Sequence, residues 1–117
     1  MVNDFPMTQG DLLPLIDQVL LNGDDSVRDL TNCTVTFRFR MYGDDPSLAT
    51  ERSATIVGAP TDGHVRYSWQ PGDTDRTPLM LAEWVVYFPG TLPETFPNGR
   101  SDEFPSGYIR VAIKPKL

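Results

Sequence analysis

The chain has 117 residues and carries 10 Lys plus Arg against 16 Asp plus Glu, a net charge of −6, with one Cys and one His. This length suits a single domain spanning residues 1–117, large enough to bury a core without metal or disulfide staples. One Cys excludes an internal disulfide or a cysteine-cluster metal site, and the acidic balance argues against a nucleic-acid partner held through phosphates.

No apolar run approaches the ~18 residues that span a bilayer. The N-terminus lacks the basic-then-apolar pattern of a signal peptide. A soluble protein with no membrane partner is therefore expected. The 9 glycines and 11 prolines are spread through the chain rather than pooled in a linker. They form turn clusters such as Asn22-Gly23-Asp24-Asp25, Gly43-Asp44-Asp45-Pro46 and Pro71-Gly72-Asp73. Short runs between such clusters indicate an all-β sandwich or barrel.

In chain order, the first apolar segment is Leu12 to Leu21. Leu12, Leu13, Ile16, Val19 and Leu20 fit helical spacing, while Leu13, Leu15, Val19 and Leu21 fit a strand. Pro14 is compatible with an edge strand or a first helical turn. A strand is preferred because everything after it reads as β. In Cys33 to Tyr42, Cys33, Val35, Phe37, Phe39 and Met41 alternate with Thr34, Thr36, Arg38, Arg40 and Tyr42. Such alternation predicts a strand with one face buried and one wet. A weaker strand is expected over Ser53 to Val57. Val65, Tyr67 and Trp69 then alternate with His64, Arg66, Ser68 and Gln70. Ala82, Trp84, Val86 and Phe88 form an apolar row, with Leu81, Glu83, Val85 and Tyr87 opposite. A short strand over Glu94 to Phe96 precedes the last one, where Ile109, Val111 and Ile113 alternate with Tyr108, Arg110, Ala112 and Lys114. About seven antiparallel strands and no convincing helix suggest a β-sandwich with Trp69 and Trp84 in the core.

Little in the chain points to catalysis or to a cofactor, and neither is expected. His64 is the lone His and sits on a predicted outward face, with no Gly-x-Ser-x-Gly elbow elsewhere. Cys33 reads as a small core hydrophobe. The acidic pairs Asp24-Asp25, Asp44-Asp45, Asp73/Asp75 and Asp102-Glu103 offer oxygens of the kind Ca²⁺ takes. None matches an EF-hand loop, and Asp is a common turn residue.

Several blocks resemble a known family. Val27 to Arg40 (V-R-D-L-T-N-C-T-V-T-F-R-F-R) is similar to its V-D-L-T-G-A-T-V-T-F-R-M-R stretch. Gly63 to Thr74 is similar to G-x-V-x-Y-x-W-x-x-G-D-T, and Ala82 to Gly90 to A-E-W-x-V-x-F-P-D-G. Glu94 to Asn98 and Gly107 to Val111 resemble E-T-F-P-N-D-G-Y-I-x-V. The family is the immunoglobulin-like domain of tailed-phage structural proteins, typified by the N-terminal domain of the baseplate upper protein. The resemblance implies an immunoglobulin-like β-sandwich that serves as a virion building block, made in the bacterial host cytoplasm. It implies other virion proteins as partners, in a homo-oligomer or symmetric assembly, and Leu12 to Leu21 as the first strand. Here Gly99 to Ser106 interrupts the family's Pro-Asn-Asp-Gly-Tyr junction, which predicts a longer final hairpin loop. With three residues after Lys114, the fibre or receptor-binding region of larger members is not expected. A decoration, neck, adaptor or tail-associated subunit is expected rather than a baseplate organiser.

The outward rows supply the candidate interface residues: Arg38, Arg40, Arg66, Tyr87 and Arg110. Arg38 and Arg40 on one strand, with His64 and Arg66 on another, read as a basic stripe for an acidic neighbour. Cross-strand pairing with Glu83 within the sheet is the competing explanation. Leu81, Val85 and Tyr87 read either as a subunit contact or as a second buried face. Outward Tyr42, Tyr87 and Tyr108 also fit an alternative function, a carbohydrate- or receptor-binding module.

Overall fold

Alternating runs that each bury one row must place those rows against one another, and two facing sheets are the result. The computed structural model describes residues 4–97, 104 and 106–117. The expected hairpin loop over Gly99 to Ser106 lies outside these apart from Phe104 and Ser106, and the Asp102-Glu103 pair lies wholly outside. Among the described residues the strands are β1 (Phe5–Thr8), β2 (Ile16–Val19), β3 (Thr34–Met41), β4 (Thr50–Ser53), β5 (Thr55–Ile56), β6 (His64–Tyr67), β7 (Leu79–Tyr87), β8 (Glu94–Phe96) and β9 (Ile109–Lys114). Two single 3₁₀ turns, Pro46–Leu48 and Pro60–Asp62, complete the regular structure. The larger sheet runs β1-β9-β7-β3-β4, with β8 also paired to β7. The smaller sheet runs β2-β6-β5. The chain is thus an all-β, two-sheet sandwich.

The inner rows make the core. Val35, Phe37, Phe39 and Met41 of β3 lie beside Met80, Ala82, Trp84 and Val86 of β7, and all are buried. They face Ile16, Val65, Tyr67 and Trp69. Phe37 is central. Its ring stacks on Tyr67 at 4.8 Å, lies 4.7 Å from Trp84, and meets Trp69 edge-on at 5.7 Å. Aromatic pairs at these separations contribute about 0.5–1.5 kcal/mol beyond the area they bury. Both indoles also satisfy their N–H groups, Trp84 across the sandwich and Trp69 within the smaller-sheet side. Trp84 Nε1 donates to Gln18 Oε1 at 3.1 Å, and Trp69 Nε1 donates to the Pro14 carbonyl at 3.0 Å.

Leu12 to Leu21 holds a strand and not a helix, but that strand is only Ile16–Val19, with an isolated bridge from Leu21 to Val27, and the inward row is inverted. Ile16 and Leu20 are buried, while Leu13, Val19 and Leu21 of the expected apolar row are exposed. Gln18 holds an inward position because it accepts the Trp84 N–H, and this polar residue breaks the apolar pattern. Nor is it the first strand. Phe5–Thr8 comes before it and pairs parallel to β9, in register Phe5 with Val111 and Thr8 with Lys114. The strands are therefore not all antiparallel. Pro6 fits this edge. Gln9 N donates to Lys114 O at 2.9 Å, so by alternation the nitrogens of Met7 and Phe5 face β9 and that of Pro6 faces outward. The weak Ser53 to Val57 run is two strands, β4 in the larger sheet and β5 in the smaller. They join at Ala54, whose N–H still donates to Val35 O at 2.9 Å.

One glycine is fixed by a close approach. Gly63 (φ +62) lies between Pro60–Asp62 and β6, and its N–H donates to the Pro60 carbonyl. A Cβ there would sit 2.6 Å from Val27 Cγ1 and 2.8 Å from the Arg28 carbonyl. Gly63→Ala should therefore cost at least about 1–2 kcal/mol, from left-handed strain and the clash with backbone together. Trp84→Ala should cost about 3–5 kcal/mol. Urea denaturation checks both. A loss below about 1 kcal/mol at Trp84 would contradict the inside-outside assignment of β7.

Candidate interaction surface

Four of the five candidate residues share one surface, the outer face of the larger sheet. Cross-strand register sets Arg38 opposite Glu83 and Glu51, Arg40 opposite Leu81, and Leu81 opposite Arg110, while Tyr87 lies opposite Thr34. Arg66 is elsewhere. It projects from β6 in the smaller sheet, on the far side of the sandwich, where its Nε meets Asp17 Oδ2 at 3.3 Å. His64 Nε2 meets the other oxygen of Asp17, also at 3.3 Å. The basic stripe read across Arg38, Arg40, His64 and Arg66 is therefore two separate groups. The sequence carries no direct signal of which strands share a sheet, and β6 joins the sheet that β3 does not.

The centre of the larger face is an ion-pair network. Arg38 Nη2 lies 2.8 Å from Glu83 Oε1, and its Nη1 lies 3.6 Å from Glu51 Oε1. Pairing with Glu83, the competing explanation for Arg38, is thus realised. Glu51 Oε2 also accepts from Thr36 Oγ1 at 2.7 Å and from the Tyr87 hydroxyl. These bonds act oppositely on the two partners. The Tyr87 hydrogen bond, then those of Thr36 and the charge of Arg38, hold the Glu51 carboxyl below its ordinary pKa despite partial burial. The same carboxylate, with burial, raises the Tyr87 phenol. Leu81 and Val85, on this face too, are buried, while Tyr87 is 36% exposed. Thr36 and Thr95 flank Val85 as its cross-strand neighbours. The row is thus part covered and part open.

Beside the network lies a depression of about 300 Å³ whose lining includes Arg38, Arg40, Leu81, Glu83, Tyr108 and Pro46. Arg40 Nη1 donates to the Asp44 carbonyl at 2.9 Å, and its guanidinium lies 5.7 Å from the Tyr108 ring centre. Arg110 pairs with Asp4 at 2.9 Å. The arrangement holds the Arg40 guanidinium beside an apolar floor, which suits a carboxylate-bearing protein surface.

Other candidate groups have structural roles. Cys33 packs partly buried against the core, and its Sγ contacts the Thr31 carbonyl at 3.6 Å. Burial raises its thiol pKa, which keeps it protonated. Asp73 is no free ion ligand. Its Oδ2 accepts from the Tyr67 hydroxyl at 2.5 Å and the Gln70 N–H at 2.8 Å, while Oδ1 pairs with Arg52 Nε at 3.1 Å. Asp44 is held by Arg76 through two contacts, at 2.7 and 3.2 Å. Among the described residues, no three His, Cys, Asp or Glu side chains gather to hold a metal ion. Arg52 and its role were not foreseen, because its register beside Phe37 is set by strand pairing that the sequence does not show.

Comparison with known proteins adds no relative: no protein family, no curated protein and no solved structure matches the chain.

Burial first, then the hydrogen bond to Asp73, push the Tyr67 phenol far above its ordinary value near 10. Above about pH 10 the unfolded chain releases this proton while the folded chain keeps it. The contribution is full below that pH and is lost as pH rises. Tyr67→Phe should cost about 1.5–3 kcal/mol at pH 8, because the bond accepts onto a carboxylate. It should also flatten the loss of stability above pH 10. Urea midpoints for both proteins between pH 8 and 11 check this, and parallel curves would contradict it.

Proposed function

We propose that the chain is a non-enzymatic bacteriophage virion structural subunit. On this proposal its sandwich is immunoglobulin-like, it is made in the bacterial host cytoplasm, and it works by docking other virion proteins in a homo-oligomer or symmetric assembly. The observation that carries the proposal is the gathering of Arg38, Arg40, Tyr87 and Arg110 on one sheet face, which also holds a depression lined by Arg38, Arg40 and Leu81. Arg and Tyr are the residue types that anchor protein interfaces. The resemblance to phage domains supports it in a second way. Its blocks fall on β3, β6, β7 and β9 and on the Gly72-Asp73-Thr74 loop, the parts that fix the frame. The mechanism is rigid presentation. The aromatic core and paired strands hold the outer face in one geometry, so docking orders few side chains.

An antibody against the chain should label purified particles at a regular position, seen by immunogold microscopy. Mass spectrometry of the same particles should find the chain at fixed stoichiometry. Unlabelled particles lacking the chain would overturn the proposal. A specific glycan-array signal from such a chain would favour the carbohydrate-binding alternative, in which Tyr108 in the depression and the exposed Tyr42 provide the platforms.

A further inference from the structure

One arginine on the larger face makes no direct contact with a carboxylate. Every other described arginine has a carboxylate oxygen within 3.3 Å. Arg40 has none among the described residues. Asp44 bonds it only through its backbone carbonyl, because Arg76 takes both carboxylate oxygens, and the carboxylates of Asp44 and Asp45 reach Arg40 only through their charge. The Asp44 carbonyl and the Tyr108 ring hold Arg40 in place, beside the apolar side chains of Leu81, Pro46 and Ala49. A guanidinium set in this way is complementary to a carboxylate with an apolar neighbour.

The same chain offers that chemistry at its opposite end. The tight turn at Asn22 to Ser26, closed by the Leu21–Val27 bridge, exposes Asp24 and Asp25. Asp24 accepts from Ser26 N and Oγ, which lowers its pKa, and no described cation pairs with either aspartate. Leu21 and Val27 at its base are 41% and 44% exposed. The turn lies at the Thr34 end of β3, where Leu20 N donates to Gly63 O and Leu30 N to Pro60 O. Arg40 is six residues further along β3, about 20 Å away. The acidic tip and the basic depression therefore cannot meet within one molecule.

We infer that the depression around Arg40 receives the Asp24-Asp25 turn of a second copy of this chain, in a head-to-tail contact. It deepens the proposed assembly role and rests on it. The two patches differ, so the contact is heterologous and propagates into a ring or an open row, not a closed two-fold dimer.

Two variants test this on the full chain. Arg40→Glu removes the receptor. Asp24→Asn with Asp25→Asn removes the charge of the tip while keeping an acceptor for Ser26 and a residue tolerant of φ +67 at position 25. The unaltered protein should self-associate at low ionic strength in light scattering, and dissociate as about 0.5 M salt screens the pair. Each variant alone should associate about tenfold more weakly or worse. Mixed, they should form a one-to-one dimer, because the tip of the Arg40→Glu copy still fits the intact Arg40 of the other. Matching circular dichroism and melting temperature would show that the Asn variant is folded. A monomeric unaltered protein, variants that still associate, or a mixture without dimers would each overturn the contact. Particle labelling with a monomeric protein would overturn this contact alone, while dimers without labelling would overturn the virion role alone.

Discussion

The buried carboxylate of Asp73 is the point on which the two sheets depend. Its side chain is 1% exposed, and such a charge persists only when fully bonded. Tyr67 reaches it from the smaller sheet, Arg52 from the edge of the larger one, and the Gln70 N–H from its own turn. The next residue, Thr74, extends the same junction. Its hydroxyl donates to the Asp11 carbonyl, and its own carbonyl accepts from Gly10 N. One turn therefore ties together β4, β6 and the link between β1 and β2. Removing any single partner would leave an unpaired group in a dry place, which costs more than the bond itself is worth.

The strong period-two runs were legible because they lie where one face is dry and the other wet. The observed bounds of β3, β7 and β9 stay within two residues of the alternating rows. What stayed hidden has local causes. Phe5–Thr8 has four residues with Pro6 among them, and its stability comes from a partner more than a hundred residues away. β2 carries Gln18 on its inner row for the sake of a tryptophan N–H. β4 and β5 read as one weak strand because the sheet change at Ala54 needs no glycine or proline. For the candidate surface, the sequence could say which residues point away from their own core row. It could not say which of those rows share a face, so Arg66 was grouped with side chains on the far side of the molecule.

Charge placement divides the surface into paired and unpaired groups. Most arginines here are satisfied at home. Arg38 bridges two glutamates, Arg76 is chelated by Asp44, and Arg110 is held by Asp4. Exposed pairs of this kind add little stability, but they fix side-chain directions and remove free charge. Against that background, Arg40 and the Asp24-Asp25 pair stand out among the described residues as charges with no direct ion-pair contact.

The parallel pairing of β1 with β9 sets an order in time. As the chain emerges from the ribosome, residues 5–8 appear about a hundred residues before their sheet partner, residues 111–114. The intervening sandwich can pair β3, β4 and β7 first, through contacts closer in sequence. The first strand can pair only once β9 has been made, closing a loop of about a hundred residues whose entropic cost grows only slowly with length. Until that moment the edge of β9 stays open, and Pro6 is the residue that guards the outer side of the strand once it arrives.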